Sequence, residues 1–299
     1  MIKSQVRTDL ALEARESLGH AGERVHGIRT QEYDKEGGVH VTKVFVDTRN
    51  AASTLGKPIG TYVTMEAEAL GEPDDGYHRE ISAVLAEELK DLLQVEDKEN
   101  PSILVVGLGN REVTADALGP RVLDNLYVTR HMVRLYGKAA LTGAEESVVS
   151  CLEPGVMAKT GMETAEIIGG VIEKTKPDAV VVIDALAARS TRRLNRTIQL
   201  SDAGIQPGSG VGNHRNSLTR ESLGVPVIAV GVPTVVDAAT IVDDALEKMI
   251  GTDKVFQRGS FVDLGNMYMT GKDVDEIIKR VSYTISEGIN MALQGRAVS

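Results

Sequence analysis

The chain carries two apolar runs of the same design, ILVVGLGNREVTAD at residues 103–116 and AVVVID at residues 179–184. An unbroken run rich in Val and Ile is typical of a strand that is buried on both faces of a parallel sheet. Each run leads to an aspartate, Asp116 or Asp184, at or just beyond the predicted carboxyl end of its strand. Ligands of open α/β sheets bind at that edge, so the two acids are a candidate catalytic or metal-binding pair.

Helices and strands are predicted to alternate around these two runs from about residue 77 onward. Amphipathic spacing and turn signals predict helices over 10–18, 78–94, 119–136, 162–174, 234–249 and 273–294. Further strands are predicted near 147–152, 197–200 and 226–231. Residues 24–70 are instead β-rich. The sequence therefore predicts the α/β class: a three-layer α/β/α fold with a mostly parallel sheet and a β-rich N-terminal addition.

Composition and charge exclude several classes of protein. The formal net charge of −10 argues against a sequence-independent grip on nucleic acid, which needs clustered Lys and Arg. The longest apolar runs are far shorter than the roughly 20 residues that cross a bilayer, so no membrane partner is expected. The N-terminal stretch MIKSQVRTDLALEARE carries acids and is not predicted to be a signal peptide. Cys151 is the only cysteine, which rules out an internal disulfide and is compatible with a reducing cytosol.

Each aspartate has a structural explanation as well as a functional one. Asp116 could cap a helix that begins near Gly119, and Asp184 could satisfy backbone donors where a strand ends. If the two lie close together, repulsion makes them share one proton, so that one activates water while the other donates. The same oxygens could instead hold a divalent metal. The residues alone leave these possibilities open.

Other candidate sites are weaker. Gly107-Leu108-Gly109-Asn110 begins like a dinucleotide fingerprint, but Glu112 stands where the third glycine belongs, so this stretch is predicted to be a tight turn. Cys151 is predicted to be a small buried core residue. The glycine-rich residues 207–215 suggest either a backbone nest that binds an extended peptide or an anion, or a simple connector.

These residues together resemble the germination proteases of spore-forming bacteria. The resemblance rests on VRTDLA at 6–11, GLGN at 107–110, DALGP at 116–120, PGVM at 154–157, IDALAAR at 183–189, PGSGVGN at 207–213 and GVPVIAVGVPTVVDA at 224–238. The stretch from Gly107 to Gly119 is also similar to the G-x-G-N…D-x-x-G stretch of hydrogenase-maturation proteases. The α/β/α fold of those enzymes is therefore expected here.

The resemblance implies an atypical aspartic-type endopeptidase, with no metal or other cofactor, that degrades small acid-soluble spore proteins when germination begins. It implies a homotetrameric zymogen in the cytoplasm of the forespore or spore core, with residues 1–9 as the propeptide and residues 10–299 as one protease domain. The family's two functional aspartates fall on Asp116 and Asp184, and self-processing falls between Asp9 and Leu10. The glycine-rich loop is expected to hold substrate backbone through Gly208, Ser209, Gly210, Gly212 and Asn213.

Two departures and two alternatives accompany the resemblance. The segment between Ile250 and Phe261 is short where many relatives carry a long insertion, and the stretch ahead of Asp9 is brief. A metal-dependent peptidase of the hydrogenase-maturation type could use the same acids. A binding module without enzymatic activity would need neither acid for turnover.

Overall fold

The computed structural model describes residues 8–18, 25–73, 78–95, 97–143, 145–208, 216–242, 245 and 267–294. The strands are β1 Ile28–Lys35, β2 Val39–Val46, β3 Gly60–Glu66, β4 Ser102–Gly107, β5 Val148–Leu152, β6 Ala179–Ala188, β7 Thr197–Ser201, β8 Val227–Asp237 and β9 Tyr268–Met269. The helices are α1 Ala11–Leu18, α2 Arg49–Leu55, α3 Arg79–Leu93, α4 Leu118–Leu123, α5 Arg130–Tyr136, α6 Met157–Thr160, α7 Thr164–Thr175, α8 Arg220–Leu223 and α9 Val274–Gln294.

The strands form one mixed sheet in the order β1-β2-β3-β7-β8-β6-β4-β5, with β9 paired to β8. The strands β5, β4, β6 and β8 are mutually parallel, and we call them the parallel half. The strands β1, β2, β3 and β7 pair antiparallel, and we call them the antiparallel half; it joins the parallel half where β7 meets β8. The predicted β-rich N-terminal region is therefore a continuation of the same sheet.

Helices cover both faces of this sheet, which confirms the predicted α/β class and its three layers. One face lies under α3, α4 and α9, where residues such as Leu85, Leu118 and Ile285 join Val105 and Val181 in the largest apolar cluster. On the other face α7 covers the parallel half, and α1 and α2 cover the antiparallel half. Burial on both sides explains why the runs in β4 and β6 are apolar throughout.

The predicted helix over 119–136 is wrong as one element. The structure ends α4 at Leu123 and begins α5 only at Arg130. Between them Thr129 donates its N–H to the Val149 carbonyl at 3.0 Å, and its hydroxyl accepts from the Val149 N–H at 2.9 Å. The chain follows the edge of β5 there, because an exposed strand edge supplies the hydrogen bonds that a continued helix would otherwise provide.

Two predicted strands end too early. The structure continues β6 to Ala188 and β8 to Asp237, and the two remain paired through Ala188 and Val236 after a register shift beyond Leu186. Consequently the prediction of a helix beginning at residue 234 is wrong: residues 234–237 belong to β8, and 238–242 are helical. Asp184 therefore lies inside a strand and not at its end.

The β-rich region also contains a helix that the strand prediction missed. In α2 the Thr48 hydroxyl caps the first turn by accepting from the Ala51 N–H at 3.1 Å, and Gly56 ends the helix with φ +70°. That positive φ is the conformation in which glycine commonly follows a helix. The turn places Lys57 beside the N-terminal segment. Among the described residues, no helix combines the length and apolar character that a membrane span requires.

Candidate active site

Asp184 is held by the sheet. It is 6% exposed, and it faces away from the cluster under α3 that its neighbours Ile183 and Ala185 join. It pairs in register with Gly231 of β8, which pairs with Gln199 of β7, so the three form one row across adjacent strands. Two strand spacings separate the backbones of Asp184 and Gln199 by about 10 Å. Gly231 has no side chain, and the Leu186 side chain packs over it, because a Cβ at this position would lie 2.6 Å from Leu186.

Asp116 is held by a loop. It ends the short 3-10 helix Thr114–Asp116, and one of its carboxylate oxygens accepts from the Asn110 N–H at 2.8 Å. The helix α4 begins at Leu118 without a side-chain cap, so the capping explanation for Asp116 does not describe this structure. The carboxylate instead fixes the turn that follows β4.

Glycines make this loop possible, as the predicted tight turn requires. A Cβ on Gly109, whose φ is +114°, would lie 1.9 Å from the Asp116 carbonyl oxygen. A Cβ on Gly119 would lie 2.3 Å from the Leu108 carbonyl oxygen. The Leu108 N–H donates to the Ile183 carbonyl at 2.8 Å, which ties the loop to the residue before Asp184. Both aspartates are therefore anchored to the same region, beyond β4 and along neighbouring β6.

A cleft of about 850 Å³ opens on the face of the sheet that carries Asp184. Of the two aspartates, Asp184 lines it and Asp116 does not. Gly231 and Gln199 also line it, together with parts of α1, α2 and the loop after β7. Gly208 of the predicted peptide-binding loop lies in its wall. The other residues proposed for that loop, Ser209, Gly210, Gly212 and Asn213, lie outside the described residues.

The segment that leads into α1 lies in this cleft. Asp9 donates its N–H to the Ala187 carbonyl at 2.9 Å, and its carboxylate accepts from the Ala187 N–H at 2.8 Å. The next residue, Leu10, is fully buried against Leu186, Ala188 and Val236. The bond at which trimming was predicted is thus positioned by β6, three residues beyond Asp184.

Glu13 anchors the same segment from α1. Its buried carboxylate accepts from the Arg189 N–H at 2.7 Å and the Ser190 N–H at 2.9 Å, and it also accepts from the Thr8 hydroxyl. The guanidinium of Arg193 lies 3.6 Å from it. A buried carboxylate needs such donors, because an unpaired charge in this position would be strongly destabilising.

Two side chains from the antiparallel half bind the backbone around the predicted processing point. The Lys57 ammonium donates to the Thr8 carbonyl at 3.2 Å and to the Asp9 carbonyl at 2.8 Å. The Gln199 amide donates to the Asp9 carbonyl at 3.1 Å and accepts from the Ala11 N–H at 2.6 Å. Burial lowers the pKa of Lys57, and the charges of Asp9 and Glu13 oppose that shift. Neither residue belongs to a recognisable motif, so the sequence alone does not single out either of them.

Other candidate chemistry is less well supported by the geometry. Within the parts of the chain that the structure describes, no three His, Cys, Asp or Glu side chains form a metal-binding group. The expectation that Cys151 is buried is wrong, because its side chain is exposed at the edge strand β5. Partial loss of water around the thiol raises the pKa of Cys151, so the thiolate is not favoured there.

A peptide segment held by backbone hydrogen bonds in the same cleft as a buried carboxylate is an arrangement suited to a peptidase, and the comparisons with known proteins agree with that class. The family model described as germination protease matches residues 6–259. The chain is 44% identical to the germination protease of Caldanaerobacter subterraneus subsp. tengcongensis, over 97% of this chain and 94% of that protein. It is 43% identical to that of Clostridium perfringens strain 13, over 98% of this chain and 96% of that protein. The chain belongs to the germination protease family.

Proposed function

We propose that the chain is an endopeptidase that initiates degradation of small acid-soluble spore proteins during germination. It is made as a zymogen in the forespore cytoplasm and is activated by trimming between Asp9 and Leu10. It works as a homotetramer. Family membership over most of the chain supports the protease activity and its link to germination.

The observation that carries the zymogen proposal is that Asp9 and Asp184 line the same cleft. The backbone of residues 8–11 is bound there by Ala187, Lys57 and Gln199, so a substrate could not occupy the same space. The N-terminal segment therefore acts both as the inhibitor and as the first substrate.

The proposed chemistry uses Asp116 and Asp184 as an acid and base that share one proton. One carboxylate takes a proton from water as the water oxygen attacks the carbonyl carbon, and the other donates a proton to the leaving nitrogen. This division needs no covalent intermediate. Spore proteins would bind as residues 8–11 do, with an acidic residue followed by an apolar one at the cleaved bond. The glycine-rich loop, including Gly208, would cover the substrate backbone.

Intact mass and N-terminal sequencing of the purified protein during incubation at mildly acidic pH test this proposal. We expect the wild type to lose residues 1–9 and then to cleave a purified spore protein. We expect Asp116→Asn and Asp184→Asn to do neither while retaining the wild-type circular dichroism spectrum. Asp91→Asn is the matched control, because this exposed aspartate lies on α3, across the sheet from the cleft.

The possible results separate the alternatives. Equal trimming in all variants would indicate a contaminating protease and would remove the proposed role of the pair. Trimming that stops when a chelator is added, and returns with a divalent cation, would favour a metal-dependent peptidase that uses the same acids. A wild type that neither trims nor cleaves the spore protein would contradict the proposal.

A further inference from the structure

The Asp9 carbonyl oxygen has an unusual environment for a backbone acceptor in a loop. It accepts from two side chains at once, the Lys57 ammonium at 2.8 Å and the Gln199 amide at 3.1 Å. This oxygen belongs to the peptide bond at which trimming is proposed. Gln199 is 8% exposed, so its hydrogen bond to the Asp9 carbonyl is shielded from water.

We propose that Lys57 and Gln199 are catalytic residues that bind the carbonyl oxygen of the cleaved bond and stabilise the negative charge that it acquires. The inference rests on the proposed self-processing and adds the residues that activate the carbonyl. The same two donors would bind the corresponding carbonyl of a spore protein once residues 1–9 have left. Preorganised donors of this kind are commonly worth about 10²–10³-fold in rate.

The orientation of the Gln199 side-chain amide shows how this residue binds the backbone around the bond. Its amide nitrogen faces the Asp9 carbonyl and its amide oxygen faces the Ala11 N–H at 2.6 Å. Reversing the amide would set donor against donor and acceptor against acceptor, so the two contacts fix one orientation. The side chain therefore spans the bond between Asp9 and Leu10 and holds the backbone on both sides of it.

The sheet register places Gln199 on the same face of the sheet as Asp184. Gln199 and Asp184 stand at the two ends of the row that passes through Gly231, and all three line the cleft. Lys57 also lines the cleft, from the turn after α2. Asp184 and the two carbonyl donors therefore line one cleft, as the acid and the carbonyl-binding groups of a hydrolytic site would.

The chemical step balances without another reagent. Water oxygen bonds to the Asp9 carbonyl carbon, a carboxylate takes one water proton, and the carbonyl oxygen becomes an anion held by Lys57 and Gln199. As the C–N bond breaks, the Leu10 nitrogen takes a proton from the other, protonated carboxyl group and the oxyanion reverts to a carbonyl. The products are the Asp9 carboxylic acid and the Leu10 amine.

The test is the trimming rate of full-length variants, followed by intact mass. Lys57→Met removes the cationic donor at similar volume, and we expect trimming at least about 10²-fold slower. Lys57→Arg keeps a cationic N–H donor, and we expect it to recover part of the rate. Gln199→Met is expected to slow trimming to a similar degree. Lys35→Met and Gln31→Glu, both on the distant strand β1, are the controls and are expected to trim as the wild type does.

Hydrogen exchange at the Ala11 amide separates catalysis from anchoring. In Lys57→Met the Ala11 N–H still has its acceptor on Gln199, so we expect its protection to persist while trimming slows. Slow trimming that tracks loss of this protection would overturn the proposal and assign Lys57 an anchoring role. Wild-type trimming by Lys57→Met would also overturn it, while leaving the zymogen proposal intact. If the wild type does not trim, and Asp184→Asn behaves in the same way as the wild type, the proposed function itself would be contradicted.

Discussion

The two halves of the sheet contribute different things to the candidate site. The parallel half supplies both aspartates on a framework of apolar strands and closely approaching backbones. The antiparallel half supplies Gln199 from β7, and the turn that leads into its strand β3 supplies Lys57; both side chains bind the N-terminal segment. The halves meet where β7 pairs with β8, which is also where the row of Gln199, Gly231 and Asp184 crosses the sheet.

The difference teaches where each half is sensitive to substitution. In the loop that follows β4 of the parallel half, backbone atoms lie against Gly109 and Gly119, so an added methyl group has no space there. In the antiparallel half, charged side chains of the strands form ion pairs, such as Lys43 of β2 with Glu88 and Glu66 of β3 with Arg193. We therefore expect added side-chain volume to be most damaging in the parallel half and a change of charge to be most damaging in the antiparallel half.

Gly119→Ala should be the most damaging change. Its Cβ would meet the Leu108 nitrogen at 2.5 Å and the Ile183 carbonyl oxygen at 2.7 Å, which are backbone atoms that cannot turn aside. We expect a loss of about 3 kcal/mol or more in the free energy of unfolding, measured by urea denaturation. Gly170→Ala in α7 is the control: nothing lies within 4 Å of its Cβ, and a gain of about 0.5–1 kcal/mol is expected. Equal effects would contradict the close-approach argument.

Glu13→Gln tests the role of charge where the N-terminal segment meets β6. Its two carboxylate oxygens accept hydrogen bonds from the Arg189 and Ser190 N–H groups. A glutamine amide has only one oxygen that can accept, so it cannot replace both contacts. We expect a loss of about 2 kcal/mol in unfolding free energy, because buried donors are left unsatisfied. The loss should persist after residues 1–9 are removed. Glu16→Gln, a half-exposed partner of Arg193, should cost less than about 1 kcal/mol.

Gly231→Ala tests the boundary between the halves. The added Cβ would lie 2.6 Å from the Leu186 side chain. Unlike the backbone atoms around Gly119, this side chain can move. We therefore expect a stability loss of only about 1 kcal/mol, clearly smaller than for Gly119→Ala. Activity should fall more than stability, because the displaced Leu186 side chain lines the cleft and packs against Leu10. Comparing thermal unfolding with cleavage of a spore protein measures the two effects, and a fully active variant would contradict this role of Leu186.

The same division explains which parts of the fold and site could be predicted from the sequence. Strands buried on both faces read directly as apolar runs, so β4 and the start of β6 were predictable. The ends of β6 and β8 were not, because Asp184 and Pro233 look like strand terminators in isolation. Both strands continue since each supplies the other with hydrogen bonds, as the pairing of Ala188 with Val236 shows.

The site was predictable only where residue type and local pattern agree. An aspartate after an apolar run is a visible signal, which is how Asp116 and Asp184 became candidates. Gln199 contacts Asp9 and Ala11 across a sequence separation of 190 and 188 residues. Lys57 contacts Thr8 and Asp9 from a turn after an unpredicted helix. Nothing local distinguishes either from a surface polar residue, because their role is created by tertiary contact alone.

Tyr33→Phe should have the smallest effect and sharpens the account of the antiparallel half. Burial and a hydrogen bond to Glu88 raise the pKa of Tyr33 to about 12. The fold thus prefers the neutral phenol, so its contribution to stability is complete below the unfolded-state pKa of about 10 and is lost as pH rises toward 12. We expect Tyr33→Phe to cost about 0.5–1 kcal/mol at neutral pH and to flatten the fall of unfolding free energy across that window.

The flattening should be partial, because Lys43 shares the same cluster. Burial lowers the pKa of Lys43, but the hydrogen bonds and charges of Glu88 and Tyr33 together outweigh this and leave the pKa raised. Its contribution is likewise present at neutral pH and disappears in strong base. Tyr136→Phe, on an exposed tyrosine of α5, is the control for loss of a phenol without these contacts. An unchanged pH curve for Tyr33→Phe would mean that Lys43 and Glu88 alone carry the charge sensitivity of the antiparallel half.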